Sequence, residues 1–379
     1  MKKTIFLTGG TGNMGWAGFQ ELLEKGKFNI RLLVRDSKKN RKKLSTYASD
    51  PRVTIIWGDL TRYEDVLRGV EGADYVLHVG GMVSPAADYY PEKTLKVNVT
   101  AAENVVKAIL AQPNASEIRT VYIGSVAQYG DRNPPCHWGG ADEPQIPAKY
   151  DMYALSKIRS EEIFAKAGLA RWVSLRQSGI LYPGILSVVN PTAFHVPMRG
   201  VLEWATIEDS GRLLAQVCED WVPEDFWNKA YNISSGGQYR MTNYEFMTRM
   251  LRALGLPGPE KVFEPQWFAL KNFHGMWYTD ADRLDEILHF RSYTPVDEYF
   301  SAMKSKLPWF YSLAFLAPAW AVKAFMKPYA FEKGMGTQWW VENDPDKFEA
   351  YYGTREAYDA IRSWDDVRPE PMKKEIEEK

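Results

Sequence analysis

Tyr153 and Lys157 stand four residues apart in Tyr153-Ala154-Leu155-Ser156-Lys157, so a helix there puts both on one face. A free phenol titrates near about 10, too high to exchange protons readily at neutral pH. A neighbouring ammonium stabilises the phenolate and makes the tyrosine a usable proton donor or acceptor. Spacing alone carries no weight, because Tyr89/Lys93 and Tyr329/Lys333 share it and read as incidental surface pairs. Setting separates Tyr153. It opens an amphipathic stretch between two apolar strands and follows Ile123-Gly124-Ser125, where a strand ends in a hydroxyl able to hold a carbonyl oxygen.

A second constellation lies at the start of the chain. Gly9, Gly12 and Gly15 in Gly9-Gly10-Thr11-Gly12-Asn13-Met14-Gly15 fall between a first strand and a first helix. The first glycine permits a tight turn, the second lets backbone approach a pyrophosphate, and the third lets helix and strand pack closely. With Asn13 and Met14 they would cradle the phosphates of a dinucleotide at the helix N-terminus. The second strand ends in Leu33-Val34-Arg35-Asp36. A carboxylate at that end suits the ribose of NAD, an arginine the 2′-phosphate of NADP. Arg35 takes the position, with Lys38, Lys39, Arg41, Lys42 and Lys43 behind it, so NADP(H) is expected ahead of NAD(H). In Gly58-Asp59-Leu60, Asp59 could accept from an adenine amino group or cap the next helix.

The elements that must position these groups are legible as alternation. Apolar, β-branched runs at Thr4–Thr8, Ile30–Val34, Val53–Trp57, Tyr75–Val79, Thr120–Ile123 and Trp172–Leu175 are separated by helical patterns at Trp16–Lys25, Tyr63–Val70, Leu95–Leu110 and Met152–Ala167. Such alternation predicts an α/β fold, a doubly wound parallel sheet covered on both faces. A dinucleotide-binding domain is expected over 1–183, with some elements returning from 201–235. A smaller, aromatic-rich substrate lobe is expected over 184–368, and a frayed tail over 369–379.

Composition bounds the alternatives. The 379 residues carry 47 Lys+Arg against 48 Asp+Glu, a balance that argues against a nucleic-acid binder. Two distant cysteines and five scattered histidines without HExxH argue against a disulfide framework and a catalytic metal, and fit a reducing cytoplasm. The Ile5-Phe6-Leu7 run is too short for a signal peptide, and no stretch reaches the about 20 apolar residues of a membrane span.

In their order, Thr8–Gly15 (TGGTGNMG), Gly58–Leu60 (GDL), Val76–Gly81 (VLHVGG), Val97–Val106 (VNVTAAENVV), Ser125–Gly130 (SVAQYG), Asp142–Pro144 (DEP), Tyr153–Lys157 (YALSK) and Leu175–Gly184 (LRQSGILYPG) resemble the extended short-chain dehydrogenases/reductases. That family includes the nucleotide-sugar epimerases/dehydratases and the 3β-hydroxysteroid-dehydrogenase-like enzymes, and the match covers roughly the first half of the chain. The resemblance implies a Rossmann-type fold and three roles: Ser125 orients the substrate carbonyl, Tyr153 is the general acid/base, and Lys157 tunes the tyrosine and binds the nicotinamide ribose. Asn98 matches a family asparagine near the site, with a buried helix-start role as its rival, and His78 reads as structural. Gly80-Gly81 and Gln177 depart from the family's usual residues. Helices at Leu95–Leu110 and Met152–Ala167 form a dimer bundle in many members, so a homodimer is expected by analogy.

Between Tyr182 and Glu208-Asp209 the chain is short and Arg199 is the only cation of Leu181–Trp204, which makes a pyrophosphate clamp hard to build. The expected reaction is therefore NADPH-linked reduction, or alcohol oxidation, of a bulky apolar substrate, steroid-like or long-chain. A nucleotide-sugar epimerase/dehydratase is the alternative and a non-catalytic redox sensor the third reading. Pro308–Val322 is uncharged, and Trp309, Leu313, Leu316 and Trp320 form a stripe that Pro318 must kink or end. It reads first as a core helix, next as a lid over an apolar cleft, and third as a peripheral membrane contact over 308–330 edged by Lys323 and Lys327. The Trp-rich excess beyond residue 200 is expected to shape and cover the substrate cleft.

Overall fold

The first strand, β1 (Lys3–Thr8), is buried from Ile5 to Thr8, and its Ile5-Phe6-Leu7 centre is apolar because both its faces are covered. In the computed structural model, which describes residues 2–187 and 189–369, it lies inside a seven-stranded parallel sheet. The others are β2 (Phe28–Val34), β3 (Val53–Trp57), β4 (Tyr75–His78), β5 (Arg119–Ser125), β6 (Arg171–Gln177) and β7 (Lys229–Ile233). Their order is β7-β6-β5-β4-β1-β2-β3, so the direction of winding reverses between β1 and β4. In an open parallel sheet the crevice beyond the carboxyl ends at such a reversal is where ligands sit.

Helices α1 (Asn13–Lys25), α2 (Lys38–Leu44), α3 (Tyr63–Val70), α4 (Pro91–Leu110), α5 (Met152–Lys166) and α6 (Ile207–Gln216) flank the sheet. Leu7, Phe19, Leu32, Leu213 and Leu214 fill one face; Phe6, Val76, Val105, Tyr122 and Phe164 fill the other. α1 ends where Gly26 turns left-handed (φ 71°) and donates to the Leu23 carbonyl. α5 begins where the Asp151 carboxylate accepts from the Ala154 amide at 2.8 Å. The six strands expected from sequence are present, with ends shifted by a residue or two. The seventh, β7, comes from the returning segment, after the apolar alternation has faded.

The second lobe differs from expectation in two ways. Phe194, Phe263, Trp267 and Phe268 meet edge to edge in its interior, and Trp340 and Tyr352 are also buried. Much of the aromatic excess is thus core packing rather than cleft wall. Pro308–Val322 is not one helix, and only its Tyr311, Ala314, Ala319 and Val322 side chains pack on the core. A 3-10 helix (Trp309–Leu316) and an α-helix (Ala319–Ala330) meet at 114° around Pro318, and Trp309 and Trp320 are 77% and 73% exposed. Proline at 318 cannot continue the first helix and caps the second instead. No single helix among the described residues is long and apolar enough to cross a membrane. The tail expected to fray lies, from residue 370 onward, outside the described residues.

Candidate functional site

The glycine turn closes β1 at the sheet's reversal point. Gly9 is left-handed (φ 71°), and a Cβ there would lie 2.7 Å from the Cα of Gly80, which follows β4. A Cβ on Gly15 would lie 2.3 Å from the Gly9 oxygen, so a side chain would force α1 away from β1. Gly12 differs. It caps α1 with extended backbone, donates its N–H to the Gly9 oxygen at 2.9 Å, and has open space around its Cβ position beyond one 3.4 Å contact with that oxygen. No acidic residue occupies the first turn of α1, which begins with Asn13 and Met14. A thirteen-residue helix with its first N–H groups turned to an open glycine rim suits an anionic phosphate.

At the end of β2, Arg35 is exposed. Asp36 is engaged by Arg41 through two 2.6 Å hydrogen bonds, and the Arg41 guanidinium lies 4.7 Å over the Trp57 ring. Lys43 donates to the Thr11 oxygen of the glycine turn at 3.0 Å, and burial lowers its ammonium below the usual lysine range. Asp59 accepts from the Thr61 amide and hydroxyl at 2.8 and 2.7 Å, so it holds the turn into α3. Leu60 lies against Gly80, where a Cβ would come within 2.7 Å of its methyl group.

Ser125, Tyr153 and Lys157 are brought together beside this crevice, Ser125 from the end of β5 and the others from α5. Burial raises the Tyr153 phenol to about 12; a hydrogen bond with Ser125 opposes this, and Asp151 and Asp88 push it further up. Burial lowers the Lys157 ammonium to about 8, and Glu161, one turn on, opposes that shift. Sequence reasoning expected Lys157 to lower the tyrosine. The structure instead points its ammonium at the Ile123 oxygen, 2.7 Å away and 5.9 Å from the centre of the Tyr153 ring.

Behind them lies a buried network. Glu161 accepts from Arg176 at 2.5 and 3.1 Å, from Ser174 at 2.6 Å, and from Gln128 and Gln145 at 2.8 and 2.7 Å. Burial raises its carboxyl, yet Arg176, Ser174 and Gln128 together hold it below the usual carboxylate range. Gln128 in turn accepts from the Ser125 amide at 2.7 Å, fixing the loop that presents the serine. Asn98 is not at a helix start. It sits within α4, clamps the Met82 backbone at 2.7 and 3.0 Å and donates to Ser156 at 2.9 Å. His78 is buried against Thr8 at 3.0 Å, and burial lowers it to about 3, as a structural histidine requires.

Asp88, Asp151 and His274 escaped sequence reasoning, because their ranges share no motif and meet only in the fold. His274 lies 2.9 Å from the Asp151 carboxylate. Asp88 is half-buried, its Oδ2 is shut from solvent without a hydrogen-bond partner, and burial raises its carboxyl. The negative charge of both carboxylates pushes up the phenols of Tyr153 and of Tyr351 in the C-terminal segment. Arg199 donates to the backbone oxygens of Asp366 and Arg368, and Glu208 accepts from Tyr299 and Lys306.

Residues 5–178 match the NAD dependent epimerase/dehydratase family. Among curated proteins, UDP-glucose 4-epimerases of Rickettsia conorii and Rickettsia canadensis are 33% and 34% identical over 113 residues. Those alignments span 28% of this chain and 33% of the relatives, so the chain matches about a third of their length. A dTDP-glucose 4,6-dehydratase from Streptomyces venezuelae, with NAD bound, superposes at TM-score 0.62 over 81% of this chain and 97% of its own, at 19% identity. The UDP-glucose 4-epimerase of Bifidobacterium longum, with NAD+ and UDP, superposes at TM-score 0.60 over 79% and 97%, at 17% identity. At such identities the likeness is one of fold.

Proposed function

From the membership of residues 5–178 in the NAD dependent epimerase/dehydratase family, we propose that the protein is a nicotinamide-dependent oxidoreductase acting at a carbonyl/carbinol centre through Ser125, Tyr153 and Lys157. The observation that carries this reading is the convergence of those three side chains at the reversal point that also holds the Gly9–Gly15 turn. A nicotinamide held there supplies a hydride acceptor or donor. Held near 12, the Tyr153 phenol keeps its proton at neutral pH and is a donor to a carbonyl oxygen. The Ser125 hydroxyl holds that oxygen. Lys157, near 8, is mostly an ammonium at pH 7; turned to the Ile123 oxygen, it is left for the other role expected of it, holding the nicotinamide ribose.

For the substrate, a nucleotide-linked sugar is better supported than the steroid-like ketone expected from sequence, because the curated relatives are UDP-glucose 4-epimerases. One observation favours the apolar carbonyl as a second reading: Arg199, the one Lys or Arg from Leu181 to Trp204, is directed onto the backbone oxygens of Asp366 and Arg368. For the cofactor, the superposed proteins bind NAD. NADP(H) remains this chain's proposed preference, since Arg35 is exposed and Asp36 is occupied by Arg41.

The experiment is turnover of a panel of UDP- and dTDP-hexoses, oxosteroids and long-chain ketones with each cofactor, comparing wild type with Tyr153→Phe and Arg35→Glu. Tyr153→Phe should lower kcat about 10²–10⁴-fold with cofactor affinity nearly intact. Normal turnover by that variant would refute the mechanism, and conversion of ketones alone would overturn the sugar reading. If Arg35→Glu leaves the NADPH/NADH affinity ratio unchanged, Arg35 does not read the 2′-phosphate.

A further inference from the structure

We propose that the face built by Trp309–Leu316 and Ala319–Ala330 docks the protein on the surface of an anionic phospholipid bilayer, lying in the interface without crossing it. Large apolar side chains exposed singly need no explanation, but a contiguous group does. Among the described residues sixteen large apolar side chains are exposed, and eight of them fall between 309 and 331: Trp309, Phe310, Leu313, Phe315, Leu316, Trp320, Phe325 and Phe331. Tyr311, Ala314, Val322, Met326 and Tyr329 on the same segment pack inward against the lobe's core. The exposed side chains therefore stand on a fixed platform, two helices bent by 114°, the second of them packed on the short helix Pro259–Val262.

Length and charge choose the occupant. The longer helix has twelve residues, about 18 Å at 1.5 Å per residue, against about 30 Å of hydrocarbon. It can lie in a bilayer surface and cannot span one. Exposed Trp320 and Phe325 are interleaved with lysines, Lys323 and Lys327 standing one and two turns beyond Trp320 on its own stripe, and exposed aromatics among lysines that can snorkel to the headgroups is a composition of interfacial helices. From 304 to 333 the chain holds Lys304, Lys306, Lys323, Lys327 and Lys333 against a single acid, Glu332, in a protein whose net charge is −1. Lys306 and Lys323 pair with Glu208 and Glu264; Lys304, Lys327 and Lys333 have no carboxylate partner among the described residues. A cationic rim complements anionic headgroups and repels an identical face, which disfavours a second copy of the chain. The face also adjoins the cleft: the Tyr89 hydroxyl donates to Glu332 at 2.6 Å, next to Asp88.

This inference does not depend on the substrate assignment. Its test is co-sedimentation of the full chain with vesicles of phosphatidylcholine alone or with 30% phosphatidylglycerol added, at low and high salt. Binding should favour the anionic vesicles at least tenfold, weaken with salt, and shift tryptophan emission to the blue. Trp309→Ser with Trp320→Ser should reduce binding at least tenfold at unchanged thermal midpoint, and Lys304→Glu with Lys327→Glu should remove the preference for anionic lipid. Absence of binding to either vesicle, equal binding by the folded variants, or a soluble dimer that both variants dissociate would overturn the proposal.

Discussion

Gly12→Ala and Gly15→Ala add the same methyl group three residues apart and should fail in different ways. At 15 the new Cβ would sit 2.3 Å from the Gly9 oxygen and 2.7 Å from its carbonyl carbon. Gly9 cannot step aside, because it is itself in close contact with Gly80. α1 must withdraw; a 2.3 Å approach to backbone puts the overpacking cost at about 2–3 kcal/mol, and helix propensity returns about 1 kcal/mol, leaving about 1–2 kcal/mol. At about 2–4 °C per kcal/mol for a chain of some size, the midpoint should fall by about 2–8 °C. At 12 the backbone (φ −76°, ψ 178°) accepts any residue and the methyl meets only the Gly9 oxygen at 3.4 Å. The fold should lose no more than the weaker N-cap preference of alanine, about 1 kcal/mol. A methyl in the path of the phosphates should instead raise the dinucleotide Kd at least tenfold, about 1.4 kcal/mol. Thermal melts without ligand and calorimetric titration with NADH and NADPH, well below both midpoints, separate the two. Gly12→Ala binding within twofold of wild type would refute the placement of the phosphates, and an unshifted Gly15→Ala melt would refute the β1–α1 packing.

Arg176→Met leaves the Glu161 carboxylate buried without its cation, and should cost about 3–5 kcal/mol in denaturant unfolding. Adding Glu161→Gln should restore most of that, and equal losses in single and double variants would refute the coupling. His78 and His195, lowered by burial to about 3 and about 4, stay neutral in the fold and would charge once unfolded below about 6.5. Their contribution is present above about 6.5 and is lost as pH falls through the folded values, so His195→Gln should flatten the acid limb of a Tm–pH curve between about 6.5 and 4. Asp88 has the opposite sign: its carboxyl is raised in the fold, so ionising it costs stability. Asp88→Asn should raise the midpoint at pH 7 by a margin that shrinks as pH falls through the Asp88 value, and a pH-independent margin would contradict the buried carboxylate.

What could be read from sequence was whatever depends on neighbours along the chain. The parallel α/β architecture follows from apolar runs alternating with helical periodicity, and the glycine turn follows from three residue types between a strand and a helix. Tyr153 and Lys157 share a face because four residues make about one turn, whatever surrounds them. Tertiary structure decided everything that depends on desolvation or on contact across the sheet. Burial, not Lys157, sets the Tyr153 phenol near 12, and it also brings the lysine down to about 8. Glu161 reaches Arg176 from another element, and Asp88, Asp151 and His274 come together from three separate ranges. Pro308–Val322 shows the same limit: an uncharged stripe cannot say whether its partner is the protein's own core. Folding leaves Trp309 and Trp320 outside, because Pro318 turns the second helix by 114° and the lobe's interior is already filled by Phe194, Phe263, Trp267 and Phe268.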